Sequence, residues 1–209
     1  MIGRFIVLEG LDGAGTTTQG KRLVAHLNAT GRPAELHAEP TPGPLGVLIR
    51  QVLRGELSLG GPERERIVAL LFAADRLDHV GGHVEPALQA GRHVISDRYL
   101  PSSLAYQSVF CDPAWVATLN RHARTPDLTL FLDVPPEVGL ARVAARTGTR
   151  ERYEVLETLT RVHAGYQRWL QGPHAHRVEV LDGTRPIDEL QATIAGLING
   201  LLSAPTSVA

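Results

Sequence analysis

Phe5-Ile6-Val7-Leu8-Glu9-Gly10-Leu11-Asp12-Gly13-Ala14-Gly15-Thr16-Thr17-Thr18-Gln19 runs from four apolar residues into a glycine-rich loop. A short apolar run ending in a turn predicts a strand buried on both faces. Beyond the loop, Thr17 to Asn28 puts Leu23, Val24 and Leu27 on one helical face. Glycines between a strand and a helix let the backbone curl, so that successive N–H groups point at phosphate oxygens. The spacing is G-x-x-x-x-G-K-[ST] with one departure: Thr16 holds the lysine position. Gly10, Gly13, Ala14, Gly15, Thr16, Thr17 and Thr18 are therefore candidate phosphate contacts, and Thr17 falls where a hydroxyl coordinates Mg2+. The same residues also suit a plain tight turn with Thr16 or Thr17 near a helix N-cap. A loop lysine bridges the β- and γ-phosphates. Losing such a charge-assisted contact costs on the order of a few kcal/mol in the transition state unless another cation replaces it. Lys21 lies a turn further on and points away, so an arginine is the better candidate.

Outward from this stretch the pattern repeats. His93 to Ser96 and Leu128 to Asp133 read as buried strands; Pro33 to His37 and Arg177 to Leu181 read as weaker ones. Helical periodicity covers Glu63 to Gln89, with Ile67, Leu70, Leu71, Ala74 and Leu77 as its apolar stripe. Pro135 to Arg146, Val155 to Leu170 and Ile187 to Leu202 complete the helices. Alternating strands and helices imply an α/β three-layer fold, a central five-stranded mostly parallel sheet flanked by helices. No repeat or linker divides residues 1–209, so one domain is expected, with 203–209 fraying at the end. Ligands in such sheets bind beyond the carboxyl ends of the strands. The chemistry is expected after Leu8, Ser96 and Asp133.

Composition narrows the function classes. The 21 Lys+Arg and 22 Asp+Glu nearly cancel, which argues against a nucleic-acid polymer or a membrane surface as partner. The one cysteine, Cys111, excludes an internal disulfide and suits a reducing compartment. The run Phe5 to Leu8 is too short for a secretory h-region, and nothing approaches a membrane span. Cytoplasmic placement is the expectation.

A second cluster, Asp97-Arg98-Tyr99 followed by Ser102, Ser103, Tyr106 and Gln107, sits at the end of the His93 strand. An acid there can hold Mg2+ beside the loop, and an adjacent arginine can grip a monophosphate. Alone, the triplet equally fits a surface ion pair. Four segments occur in order: Leu8 to Gly15, Leu71-Phe72-Ala73-Ala74-Asp75-Arg76, Asp97-Arg98-Tyr99, and Pro126 to Asp133. They resemble the phosphate loop, base-binding helix, Asp-Arg-Tyr motif and fourth strand of thymidylate kinases, members of the P-loop nucleoside monophosphate kinases. Glu151-Arg152-Tyr153-Glu154 is similar to the end of that family's lid. The resemblance spans about Phe5 to Leu181.

It implies transfer of the ATP γ-phosphoryl group to dTMP, with Mg2+, in a family that is typically homodimeric. Phe72 would stack on thymine, and Arg76, one helical turn on, would bond its carbonyl edge. Arg98 would hold the dTMP phosphate, with Asp12 near that phosphate, the sugar or Mg2+. Ser102, Ser103 and Gln107 would line the base pocket above Tyr106, and Tyr153 would close over the deoxyribose. Asp97 and Thr17 would hold Mg2+.

The segment 142–153 carries Arg142, Arg146, Arg150 and Arg152 around Thr147-Gly148-Thr149. It reads either as a solvated basic face or as a mobile lid over phosphates. As a lid, Arg146, Arg150 or Arg152 would supply the charge that Thr16 lacks. Adenine would lie between Arg142 or Arg146 and the turn that carries Arg185. Where the family often has an arginine beside Glu39-Pro40, this chain has Ala38 and Thr41; Arg50 is a possible substitute. Three alternatives stay open at this point: a kinase for another deoxynucleoside or nucleotide, a non-catalytic nucleotide sensor, and a structural partner using the fold alone.

Overall fold

The computed structural model describes residues 2–146 and 155–203, with Arg146 described by its backbone alone. Five strands, β1 (Phe5–Gly10), β2 (Ala34–Ala38), β3 (His93–Asp97), β4 (Leu128–Asp133) and β5 (Arg177–Asp182), form one sheet in the order β2-β3-β1-β4-β5. All four pairings are parallel. β1 lies at the centre with all six residues buried, because β3 and β4 flank it and helices cover both faces. A strand with no wet face has no reason to alternate, hence the continuous apolar run.

On one face Ile6, Leu8, Ile95 and Leu130 pack with Leu23 and Leu27 of α1 (Thr16–Ala29) and Ile194 and Ile198 of α9 (Ile187–Ser203). On the other, Phe5, Val7 and Val94 meet Val84 and Leu88. A further cluster of Leu11, Tyr106, Phe131 and Tyr166 lies beneath the loop. Tyr166 comes from α8 (Leu156–Gln171), which packs on α5 (Leu100–Tyr106). Gly165 permits that approach, since a Cβ there would lie 3.0 Å from the Ala105 backbone.

The expected helix from Glu63 to Gln89 becomes α3 (Arg64–His79), a wider π-type turn over Val80–Val84, and α4 (Glu85–Gln89). Its orientation also differs from the apolar reading. Leu70 and Leu77 are 48% and 46% exposed, while Asp75, Arg76 and His79 are buried. The polar side turns inward because each of these groups finds a partner there. Thr41 donates its N–H and hydroxyl to Asp75, at 2.8 and 2.6 Å, and Glu39 accepts from both Arg76 and His79. The remaining helices are α2 (Pro44–Leu53), α6 (Pro113–Leu119) and α7 (Pro136–Arg146). No helix among the described residues is long and apolar enough to cross a membrane.

Candidate active site

The loop after β1 turns at Gly13 and Gly15, whose φ angles of 83° and 98° suit glycine. At Gly13 a Cβ would also sit 2.3 Å from the Gly139 carbonyl oxygen of α7, so the loop is pressed against that helix. α1 starts at Thr16 with Gly15 as its N-cap and no side-chain cap. Thr16 and Thr17 therefore lie inside the first turn rather than capping it. An uncapped first turn leaves N–H donors and the positive end of the helix dipole toward the loop. The Thr17 hydroxyl donates to the Asp97 carboxylate at the end of β3.

Arg98 follows in the left-handed region, φ 72°, a conformation uncommon for a residue with a Cβ. Its N–H donates to the Leu8 carbonyl at 2.9 Å, and its carbonyl accepts from Ser96 at 2.7 Å. This backbone turn aims the guanidinium back over the loop, where it donates to Asp12 (2.6 Å), the Gly10 carbonyl (2.8 Å) and Ser102 (3.2 Å). Burial works against its charge, but Tyr106, Asp12, Tyr166 and Glu9 around it hold it above the ordinary arginine range. Tyr106 stacks beneath it and donates its hydroxyl to Asp12 at 3.1 Å.

Behind Arg98, Glu9 accepts from the N–H groups of Tyr99 (2.8 Å) and Ser102 (3.2 Å) and from the hydroxyls of Ser102 (2.7 Å) and Tyr166 (2.8 Å). Burial pushes its carboxyl above the usual range, opposed by Arg98 and these hydrogen bonds. Glu9 ties the start of α5 to β1.

Phe72, Arg76, Ser102, Ser103, Tyr106 and Gln107 line one cavity with Leu53 and Pro40, and it reaches Asp12 and Arg98. Arg76 is 1% exposed. It donates through Nε to Glu39 (2.9 Å), through Nη1 to Asn120, and through Nη2 to the Tyr99 carbonyl (3.1 Å) and Ser103 (3.0 Å). Among the described residues, the hydrogen-bond partner of Nη1 is Asn120. A second cavity shares Asp12, Glu39 and Arg98 with the first and runs over Gly13, Gly15, Thr16, Thr17, Thr18 and Asp97. Arg50 lies in its wall, held to the carbonyls of Thr41 (2.6 Å) and Pro40. A third cavity continues from Gly13, Ala14, Gly15 and Thr18 to Arg142, Gly183 and Arg185. Arg142 donates to the Gly183 carbonyl (3.0 Å) and the Gly13 carbonyl (3.3 Å).

The loop, the Asp-Arg-Tyr cluster and the α3 pair, far apart in the chain, are thus brought to one continuous cleft. Arg150, Arg152, Tyr153 and the Arg146 side chain lie outside the described residues, and with them most of the expected lid. Cys111 stands apart, its thiol pushed up by burial and by Glu65 and so poorly suited to nucleophilic attack. Glu9, Glu39, Asn120 and Tyr166 contribute polar contacts to the site but were not among the sequence candidates. Glu9 and Glu39 adjoin recognisable segments and could have been suspected on that ground. Asn120 and Tyr166 carry no local signal, since each is joined to the site only by chain folding.

A sequence model of the family described as thymidylate kinase matches residues 8–194. A probable thymidylate kinase of Thermococcus gammatolerans is 36% identical over 202 residues, covering 94% of this chain and 96% of that protein. A thymidylate kinase of Ruegeria pomeroyi is 38% identical over 203 residues, with 94% of each chain covered. One of Thermomicrobium roseum is 44% identical over 189 residues, covering 87% of this chain and 88% of the relative.

Proposed function

The chain belongs to the thymidylate kinase family, and from that premise we propose that it transfers the γ-phosphoryl group of ATP to dTMP, giving dTDP and ADP. The observation that carries this reading is the continuity of the cleft. A pocket containing Phe72 and Arg76 opens onto Arg98 and Asp12, which in turn adjoin the glycine loop. A thymine between Phe72 and Arg76 would place its 5′-phosphate near Arg98. There a phosphate oxygen attacks the γ-phosphorus in line as the bond to the β-phosphate oxygen breaks and ADP leaves. A phosphate monoester needs no strong base, so the protein's part is positioning and charge.

In this reading Ser102, Ser103, Tyr106 and Gln107 shape the base pocket, and Tyr153 closes on the sugar. Gly10, Gly13, Ala14, Gly15, Thr16 and Thr18 surround the donor phosphates, with Arg142, Arg146 and Arg185 toward the adenine. Thr17 and Asp97 offer a hydroxyl and a carboxylate in contact, an oxygen set that suits Mg2+. They would hold that ion, which offsets charge on the β- and γ-phosphates. Arg50 lines the same cavity as Thr16 and is the described cation closest in role to the missing lysine; Arg146, Arg150 and Arg152 remain the lid candidates.

The reading includes a cytoplasmic protein and a homodimer in which a second copy covers the exposed Leu70 and Leu77 on α3. The test is diphosphate formation from Mg·ATP with dTMP, dUMP, AMP, CMP and GMP in parallel. Product selective for dTMP is expected. Selective product from another monophosphate overturns the acceptor assignment. Thr16 favours a second reading, a nucleotide sensor, which requires dTMP binding without product.

A further inference from the structure

Behind the acceptor cavity a row of side chains runs from the surface to Arg76. His37 pairs in register with Ser96 on β3, and Ala38 pairs with Asp97, so His37 projects from the face opposite Asp97. Its Nε2 lies 3.1 Å from Glu35, and its Nδ1 lies 2.8 Å from His79 Nε2. His79 Nδ1 lies 2.9 Å from Glu39 Oε1, and the other oxygen of Glu39 accepts from Arg76. His79 and Glu39 are 2% and 5% exposed. Two nitrogens sharing a tetrahedral zinc would stand about 3.3 Å apart, so the 2.8 Å contact is that of a hydrogen bond.

Proton accounting gives this row a direction. Glu39 is the counter-ion of Arg76, and an ionised carboxylate only accepts. His79 Nδ1 must then carry a hydrogen, so a neutral His79 has a bare Nε2, and His37 must donate to it from Nδ1. Both inner ring donors point toward Glu39. At the outer end His37 Nε2 donates to half-exposed Glu35 only when the ring is protonated, and Glu35 is bonded independently by Arg92 at 3.1 Å. Burial and the facing His79 hold His37 below the ordinary histidine value, against the pull of Glu35. His83, ring centre 6.5 Å from that of His79, completes the surroundings of the pair.

We propose that His37 and His79 are positioning residues for the acceptor pocket: Glu39 fixes His79 as its Nδ1–H tautomer, His37 donates to His79 Nε2 and steadies that ring, and Glu39, so held, orients Arg76. Without the His79 donor, one oxygen of a buried carboxylate loses its partner, and Arg76 loses its fixed counter-ion. Arg76 faces the pocket away from the transferred phosphoryl group, so the loss falls on acceptor KM rather than on kcat. The kinetic part rests on the dTMP reading; the tautomer part does not.

Nitrogen-15 histidine NMR on the ligand-free protein is the first arm. His79 is expected in the Nδ1–H form in the wild type, in His37→Asn and in His37→Leu, since Glu39 demands that hydrogen in each, and wild-type His37 is expected to carry a hydrogen on Nδ1. A neutral wild-type His79 with its hydrogen on Nε2, or a wild-type His37 with a bare Nδ1, overturns the relay. In the second arm His79→Leu and His37→Leu are expected to raise the dTMP KM roughly tenfold, with kcat within about twofold and the Asn variants near wild type. An unchanged KM, or Asn variants as impaired as Leu, overturns it as well. Should His79→Leu not fold, the more exposed His37 pair decides. Absence of product from wild-type protein with dTMP would sink the substrate reading, while the NMR arm still judges the relay.

Discussion

Thr16 is the residue at which this chain departs most from what its surroundings require. It sits in the first turn of α1 with a neutral side chain, in a cavity whose other walls carry Arg50 and Arg98. Arg98 is already committed to Asp12 and Gly10, whereas Arg50, among the described residues, is anchored to two backbone carbonyls. If Arg50 supplies the missing charge, Arg50→Ala lowers kcat by about 100-fold, the usual effect of deleting one preorganised donor. Adding Thr16→Lys to that variant then restores part of the rate, because a lysine at 16 provides the same charge from the loop. Steady-state kinetics on both variants checks this; equal slowness of the two would remove Arg50 from the role. The glycine spacing and the threonine in place of lysine were plain in the sequence. That Arg50 turns into the cavity was not, since a helix residue's direction depends on how the helix is packed.

At the scale of elements, two local junctions carry measurable consequences. Glu9 receives four donors that fasten α5 to the end of β1. Glu9→Ala leaves buried N–H and hydroxyl groups orphaned and is expected to cost about 3–5 kcal/mol. Glu9→Gln keeps an acceptor and removes a charge that burial disfavours, so its cost is about 1–2 kcal/mol. Urea unfolding of the two variants tests the order, and the reverse order would contradict this account of the junction. The second junction is at the start of β3, where His93 Nδ1 accepts the Arg4 N–H at 3.0 Å. Only a bare nitrogen accepts, and burial, Arg32 and Arg4 hold His93 below its ordinary value of 6.5, against Asp127. Its folded value lies below its unfolded one, so its contribution to stability is complete above 6.5 and is lost as pH falls through the folded value. Thermal midpoints should therefore fall more steeply below pH 6.5 in the wild type than in His93→Asn; identical profiles would exclude the effect. Strands were legible as continuous apolar runs, and long helices by period. α5 and α6, at seven residues each, span only about two turns, too few to show a period. α3 was legible as a helix but not in orientation, because its inward face is satisfied by Thr41 and Glu39 from another segment.

For the whole molecule, the order β2-β3-β1-β4-β5 puts a change of winding direction at β1, and the crevice above it takes the loop, Asp97 and Arg98. The same arrangement leaves Leu70 and Leu77 facing outward. If a second copy covers them, Leu70→Arg with Leu77→Arg yields a monomer at concentrations where the wild type sediments as a dimer, with folding intact because neither side chain is in the core. A wild type that sediments as a monomer ends that proposal. The sequence by itself determined the strands, most of the long helices, the position of the glycine-rich loop and the family, because these rest on local period, glycine placement and ordered short motifs. Tertiary structure alone decided which face of α3 turns inward, and it joined Glu9 to Tyr166, Arg76 to Asn120 and His37 through His79 to Glu39. Those partners are 157 and 44 residues apart for the first two pairs, and 42 and 40 for the two links through His79. A buried polar group is satisfied by whichever donor or acceptor the packed chain brings within about 3 Å, and that distance is set by how the elements stack, which no local pattern encodes.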